Sequence, residues 1–178
     1  MKHTLIALAM GLASTAAFAN TGNINFHGTI TPGGTCPIEV VMPGTGGSIL
    51  PQIGLGSYPP EYFGPTAGKQ TTPRTFALRI DPDHCTINPG TDAYVTFTGV
   101  YGNEGTNLYS LKPHGATGVA LAIQDKSLTN LAPGRESAPY PLKTTEANEL
   151  LFHAMYENTG PVGDGDAASE VRFSVDIR

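Results

Sequence analysis

Tryptophan is absent from the 178 residues, and cysteine occurs only twice, at Cys36 and Cys85. The first absence removes the tryptophan-on-cystine core of antibody domains. The second leaves no C-x-x-C pair, so a redox or multi-thiolate metal site has no framework. Basic residues are also scarce: ten Lys and Arg face fifteen Asp and Glu, a net charge of −5. That balance disfavours a nucleic-acid partner, which calls for a basic face. No apolar run reaches the ~20 residues of a helical membrane span, so no membrane insertion is expected. Catalytic signatures are missing too. Gly54-Leu55-Gly56-Ser57-Tyr58 fails the G-x-S-x-G elbow, and His27, His84, His114 and His153 form neither H-E-x-x-H nor H-x-H. Gly44-x-Gly46-Gly47 lacks the lysine and helix of a phosphate loop. Asp81-Pro82-Asp83-His84 and Asp164-Gly165-Asp166 lack calcium-loop spacing and its closing glutamate. No catalytic, cofactor-binding or metal-binding residue is assigned, and an enzyme is not expected.

What is present begins with an export signal. Lys2 supplies a positive start, residues 5–13 an apolar core, and Ala17-Phe18-Ala19 a small-x-small cleavage site. The signal peptide is residues 1–19, and the mature chain is expected to start at Asn20. No cysteine follows the cleavage site directly, which argues against a lipid anchor. Cleavage leaves 159 residues carrying nine basic and fifteen acidic groups, a net of −6 that favours solubility. Export also decides how the cysteines are read. In an oxidising compartment a lone pair is expected to form a structural disulfide. A Cys36–Cys85 bridge closes a loop of about 50 residues, worth roughly 4 kcal/mol in the chain-entropy model.

The mature chain is punctuated by Gly and Pro (22 and 15 in the full sequence) and shows no sustained helical period. Apolar residues alternate in short runs instead, an all-β pattern. The runs are Phe76/Leu78/Ile80, Val95/Phe97, Val119/Leu121/Ile123, Leu150/Phe152/Ala154/Tyr156 and Val171/Phe173/Val175/Ile177. Each can bury one face and present the other to water. Several such strands with one disulfide predict a two-sheet sandwich of immunoglobulin type over residues 36–178. Residues 42–48 and 56–73 read as loops. The second places Tyr58, Tyr62 and Phe63 among four prolines, either as an exposed recognition patch or, the favoured reading, as a lid folded over the sandwich end.

Residues 20–35 precede the domain. Ile24, Phe26, Gly28 and Ile30 fall on one face of an extended strand, and Asn25, His27 and Thr29 on the other. A polar flank (Asn20 to Asn23) comes before, and a Thr31-Pro32-Gly33-Gly34-Thr35 hinge comes after. Periodicity alone leaves two possibilities open: a first strand paired within its own domain, or a strand on a tether. Gly28 inside such a strand suggests close backbone approach or a shallow pocket.

The mature chain resembles chaperone–usher fimbrial subunits over nearly its whole length. Ile24-x-Phe26-x-Gly28-x-Ile30 is similar to their donor strand, and Cys36 stands eight residues after the glycine, much as theirs does. Cys85 ends a strand, Phe76 to Ile80, that resembles their second cysteine strand, and Val95-Thr96-Phe97-Thr98-Gly99 is similar to the strand after it. Gly118-Val119-Ala120-Leu121-Ala122-Ile123-Gln124-Asp125 is similar to their G-V-x-I-x-I-x-D strand, and Leu151-Phe152-His153-Ala154-Met155-Tyr156 to their F-x-A-x-Y strand. Gly165 is fourteenth from the end, where such subunits commonly carry glycine. Val171 to Ile177 matches their terminal strand, except that Ile177 stands where tyrosine is common. The resemblance implies an immunoglobulin-like sandwich lacking its last strand, completed in trans by a donor strand. It implies an acceptor groove beside Gly165, Val171, Phe173, Val175 and Ile177. The implied partners are a periplasmic chaperone, an outer-membrane usher and neighbouring subunits, and the implied location is a fimbrium at the cell surface supporting adhesion. A secreted or tip-located binding module, recognising carbohydrate or a receptor, is the alternative.

Overall fold

The computed structural model describes residues 22–28, as a paired strand, and residues 36–178. The signal segment, the Ala19/Asn20 junction, Ile30 and the rest of the hinge lie outside the described residues. The chain runs β1 (Gly22–Gly28), β2 (Ile38–Val41), β3 (Ile53–Gly56), α1 (Pro60–Phe63), β4 (Arg74–Ile80), β5 (Asp92–Gly99), β6 (Asn103–Glu104), β7 (Leu108–Tyr109), β8 (Thr117–Gln124), β9 (Tyr140–Pro141), β10 (Asn148–Gly163) and β11 (Ser169–Ile177). The strands form two sheets, one ordered β3-β1-β11-β5-β9 and the other β2-β4-β10-β8-β7-β6. All five alternating runs of the sequence become strands: β4, β5, β8, β10 and β11.

The inward faces of these strands meet in a core built on phenylalanine. Phe152 of β10 stacks on its cross-strand partner Phe76, with ring centroids 5.6 Å apart. It also meets Phe97 of the opposite sheet edge-on at 5.0 Å and Tyr140 at 5.3 Å. Phe152 thus joins the two sheets through ring contacts alone. Edge-on and offset contacts of this kind add about 0.5–1.5 kcal/mol each beyond area burial. The deep hydroxyls nearby are accommodated: Tyr109 Oη donates to the Leu131 carbonyl at 2.9 Å and Tyr140 Oη to the Leu151 carbonyl at 2.6 Å.

Strict alternation is broken on the second sheet. Ala77, Ala120, Ala122 and Met155 occupy positions expected to face water, yet all four are fully buried. Ala120, Ala122, Met155 and Leu108 form a small second cluster of their own. Small residues on that face allow close packing, and Leu151 keeps the expected pattern by remaining exposed. The predicted bridge is formed: Cys36 and Cys85 are disulfide-bonded with Cα atoms 4.8 Å apart. Cys85 follows a one-turn 3-10 segment, Pro82–His84, rather than ending β4 directly.

The 56–73 segment folds back as a lid. Its single helical turn, α1, inserts Phe63 into the main core. Tyr58, Tyr62 and Phe63 pack ring to ring at 4.9–6.3 Å. Buried Asn158 of β10 fastens the segment from below. Its amide nitrogen donates to the Thr66 carbonyl at 2.8 Å, and its amide oxygen accepts from Lys69 N–H at 2.7 Å. Thr71 and Tyr156 exchange further bonds at 2.9 and 3.0 Å.

Candidate functional site: a one-strand groove and its end cavity

In the first sheet β3 and β11 are not neighbours, because β1 lies between them and pairs with both. Hydrogen-bonded strands stand about 4.8 Å apart, so β3 and β11 frame a slot roughly 10 Å across that takes a single strand. The slot exists because β11 has β5 on its other side, while β3 is only four residues long and forms the sheet edge. Its floor is apolar: Ile53 and Leu55 of β3 and Val171 and Phe173 of β11 are all core residues.

β1 occupies the slot of its own chain. It runs antiparallel to β3 and parallel to β11, with Ile24 beside Ser169, Phe26 beside Val171 and Gly28 beside Phe173. On the β11 side of this register Ser169, Val171 and Phe173 are buried. The residues of the predicted terminal strand are divided along its length. Val171 and Phe173 lie on the groove floor, whereas Val175 and Ile177 are half-buried toward the chain's end. Ile177, standing where tyrosine is common, pairs with Ala93 of β5.

Beyond the start of β1 the groove opens into a small apolar cavity of about 30 Å³, partly open to solvent. Tyr58 and Phe63 of the lid, Val119, Tyr156, Val162 and Gly165 are among the residues lining it. Tyr156 Oη donates to the Ala167 carbonyl and so ties β10 to the lead-in of β11. Desolvation, reinforced by Asp166 and Tyr58, pushes its hydroxyl well above the ordinary tyrosine range, so it remains a proton donor. Gly165 shapes the other wall. A β-carbon there would stand 2.5 Å from Ala116 N and 2.6 Å from Gly115 C, both backbone atoms. The tight approach lets Ala116 N–H donate to Asp166 O at 2.9 Å and Lys112 N–H to Ala168 O at 2.7 Å. Gly165→Ala is expected to cost about 1–3 kcal/mol through overpacking. The urea midpoint would show this, at unchanged denaturant slope.

Sequence reasoning found β11 and Gly165 but missed the opposite bank. Ile53-Gly54-Leu55-Gly56 alternates over only four residues, too short to read as a strand. The lid aromatics were singled out, but not their place in the cavity wall. Among the described residues no group of three or more His, Cys, Asp or Glu lies close enough to hold a metal ion.

A two-layer β-sandwich with a one-strand slot beside its last strand defines a class of subunit whose fold has room for a strand from elsewhere in sequence. The fimbrial protein family model matches residues 24–178, and the chain belongs to that family. No curated protein matches it. Solved structures do. An antigen and type I fimbria protein of Burkholderia pseudomallei is 22% identical, with 89% of this chain and 92% of that one covered, at a TM-score of 0.53. The P pilus rod subunit PapA is 20% identical, with 80% and 99% covered, at 0.57. A chaperone–usher pilus structure is 16% identical, with 98% and 100% covered, at 0.59. At these identities the likeness is one of fold.

Proposed function

We propose that the protein is a structural subunit of a chaperone–usher fimbrium, assembled when a groove accepts a neighbour's N-terminal strand. The observation that supports this reading is the slot between β3 and β11, which one strand, β1 from the start of the described chain, fills by pairing with both. Until the slot is filled, two strand edges and the apolar floor are open, which is an aggregation hazard. Strand addition is a general solution, with the ladder supplying affinity and side-chain pockets supplying register. A periplasmic chaperone would cover the groove first, an usher would hand the subunit on, and the mature polymer would stand at the cell surface and support adhesion. A neighbour's strand entering antiparallel to β11 would bring its C-terminal half, Gly28 and Ile30, to the end cavity under Tyr58 and Phe63. The role is architectural and calls for no catalytic group.

Phe26→Asp tests the reading. Burial of a phenylalanine is worth about 1.5–3 kcal/mol, and a carboxylate in the same pocket adds a desolvation cost. Polymer growth should be lost while capture of the subunit by its chaperone, which uses the groove and not the strand, is retained. Equal loss of both would mean that the strand serves only its own domain.

A further inference from the structure

Residues 125–138 leave the end of β8 and cross to the first sheet before β9 begins. Gly134 N–H donates to Phe97 O at 2.8 Å and Ser137 N–H to Val95 O at 2.9 Å, so the segment is laid along β5. Its first turn is fixed from inside. One carboxylate oxygen of buried Asp125 accepts from Ser127 N–H at 2.8 Å and Thr129 N–H at 3.2 Å, and the other accepts from Ala138 N–H at 3.2 Å. Asp125 N–H donates to Thr129 O at 3.1 Å, and the Gln124 amide donates to the Asn130 side chain at 2.8 Å to close the base.

This rigid turn carries a residue that its own fold does not use. Leu128 has φ 59°, in the left-handed region where a β-carbon is strained, and its side chain is 64% exposed. Glycine would relieve the strain, and a polar residue would suit the exposure. Strain held in place by a surrounding network points to function rather than to folding. Ser127 and Thr129, on either side of Leu128, line an open cavity of about 470 Å³. Small-ligand sites measure roughly 300–1,000 Å³.

The chemistry of the cavity narrows the ligand. Leu131 and Ala132 give it an apolar part, and Asn107, Asn130 and Arg135 add polar groups. Glu136 also lines it, and both of its carboxylate oxygens accept from Arg178, at 3.2 and 2.9 Å. The Arg178 guanidinium is itself set 4.0 Å over the Tyr94 ring. Asp125 and Glu136 are thus offset in charge by Arg135 and Arg178. A balanced wall of amide, hydroxyl and guanidinium groups beside an apolar patch favours neither an anion nor a cation. It suits a neutral molecule with several hydroxyls and an apolar C–H face. The groups are held before any ligand arrives, which lowers the cost of ordering them.

We propose that the cavity beside the 125–129 turn binds a neutral hexopyranose. Thr129, Asn130 and Arg135 bond its hydroxyls, and Leu128 meets its C–H face at the rim. The inference deepens the adhesive role proposed above, and none of these residues belongs to β3 or β11, the banks of the groove.

The test is an NMR titration of the ¹⁵N-labelled mature chain with the methyl glycosides of D-galactose, D-glucose and D-mannose through the millimolar range. At least one is expected to saturate with a Kd of roughly millimolar size, with shifts confined to residues 125–138 and Asn107. Glucuronate and glucosamine, which carry charge, should bind more weakly. Arg135→Ala should weaken binding about tenfold or more. Leu128→Gly should weaken it about fivefold or more while holding or raising the melting temperature, since glycine accepts φ 59° without strain. No saturable shift with any of the three glycosides, tighter binding of a charged sugar, or parent-like binding by Leu128→Gly would each overturn the proposal. Adding the peptide of residues 20–32 to a chain lacking residues 20–35 separates this site from the subunit reading. Peptide binding without glycoside binding removes the site alone. Glycoside binding without peptide binding removes strand exchange and leaves the site standing.

Discussion

A mature chain lacking residues 20–35 is expected to melt about 10 °C or more below the full mature chain, and a peptide of residues 20–32 supplied in trans is expected to restore most of the loss. The size follows from the sheet order. β1 alone connects β3 to β11, so its removal strips one ladder from each and uncovers Ile53, Leu55, Val171 and Phe173. Each apolar side chain returned to water costs about 1.5–3 kcal/mol when exposure is complete. Partial exposure of several, plus the lost ladders, reaches about 4 kcal/mol or more. For a domain of this size each kcal/mol moves Tm by about 2–4 °C. β3, with four residues and its other edge unpaired in the sheet order, should unpair first. The peptide is not joined to Cys36, so either direction of entry is open to it. Calorimetry with and without peptide measures both steps. A truncated chain that is already stable and indifferent to peptide would remove the groove from the mechanism.

The parts of this fold that were legible in the sequence are those governed by local periodicity. Val171 and Phe173, or Phe76, Leu78 and Ile80, alternate because one sheet face is buried, and a period of two survives without knowledge of the partner strand. The disulfide was legible because export and a lone cysteine pair leave one economical outcome. Signals were weaker where burial is two-sided. Ala120, Ala122 and Met155 read as water-facing by position, yet they are covered, and nothing local distinguishes a small residue packed against neighbours from one left in solvent. β3 was invisible because four residues give too short a pattern. The direction of β1 could not be read at all. A period of two reads the same in either direction, and its partners β3 and β11 lie far apart in sequence.

Reduction of Cys36–Cys85, or a Cys36→Ser/Cys85→Ser double replacement, is expected to cost about 4 kcal/mol and to lower Tm by about 10 °C. The bond joins residues 49 apart in sequence, so the unfolded chain regains the freedom of a long loop. Its position adds a native-state effect. β2 is a four-residue strand paired with β4, its other edge held only by the Val41↔Ile49 bridge, and the disulfide fastens the chain just before it. Without that bond, β2 is held by its pairs from Ile38↔Ile80 to Val41↔Ala77, by the Val41↔Ile49 bridge with its Leu50 N–H to Val40 O bond, and by burial of Val41. Amide hydrogen exchange should therefore quicken first at Ile38–Val41, while β4 and β10, paired over seven residues, keep their protection. If protection at β2 fell only in step with the global loss, the disulfide would act through the unfolded chain alone. Selective fraying of β2 would show that the same bond that limits the unfolded state also fixes the end from which β1 is tethered.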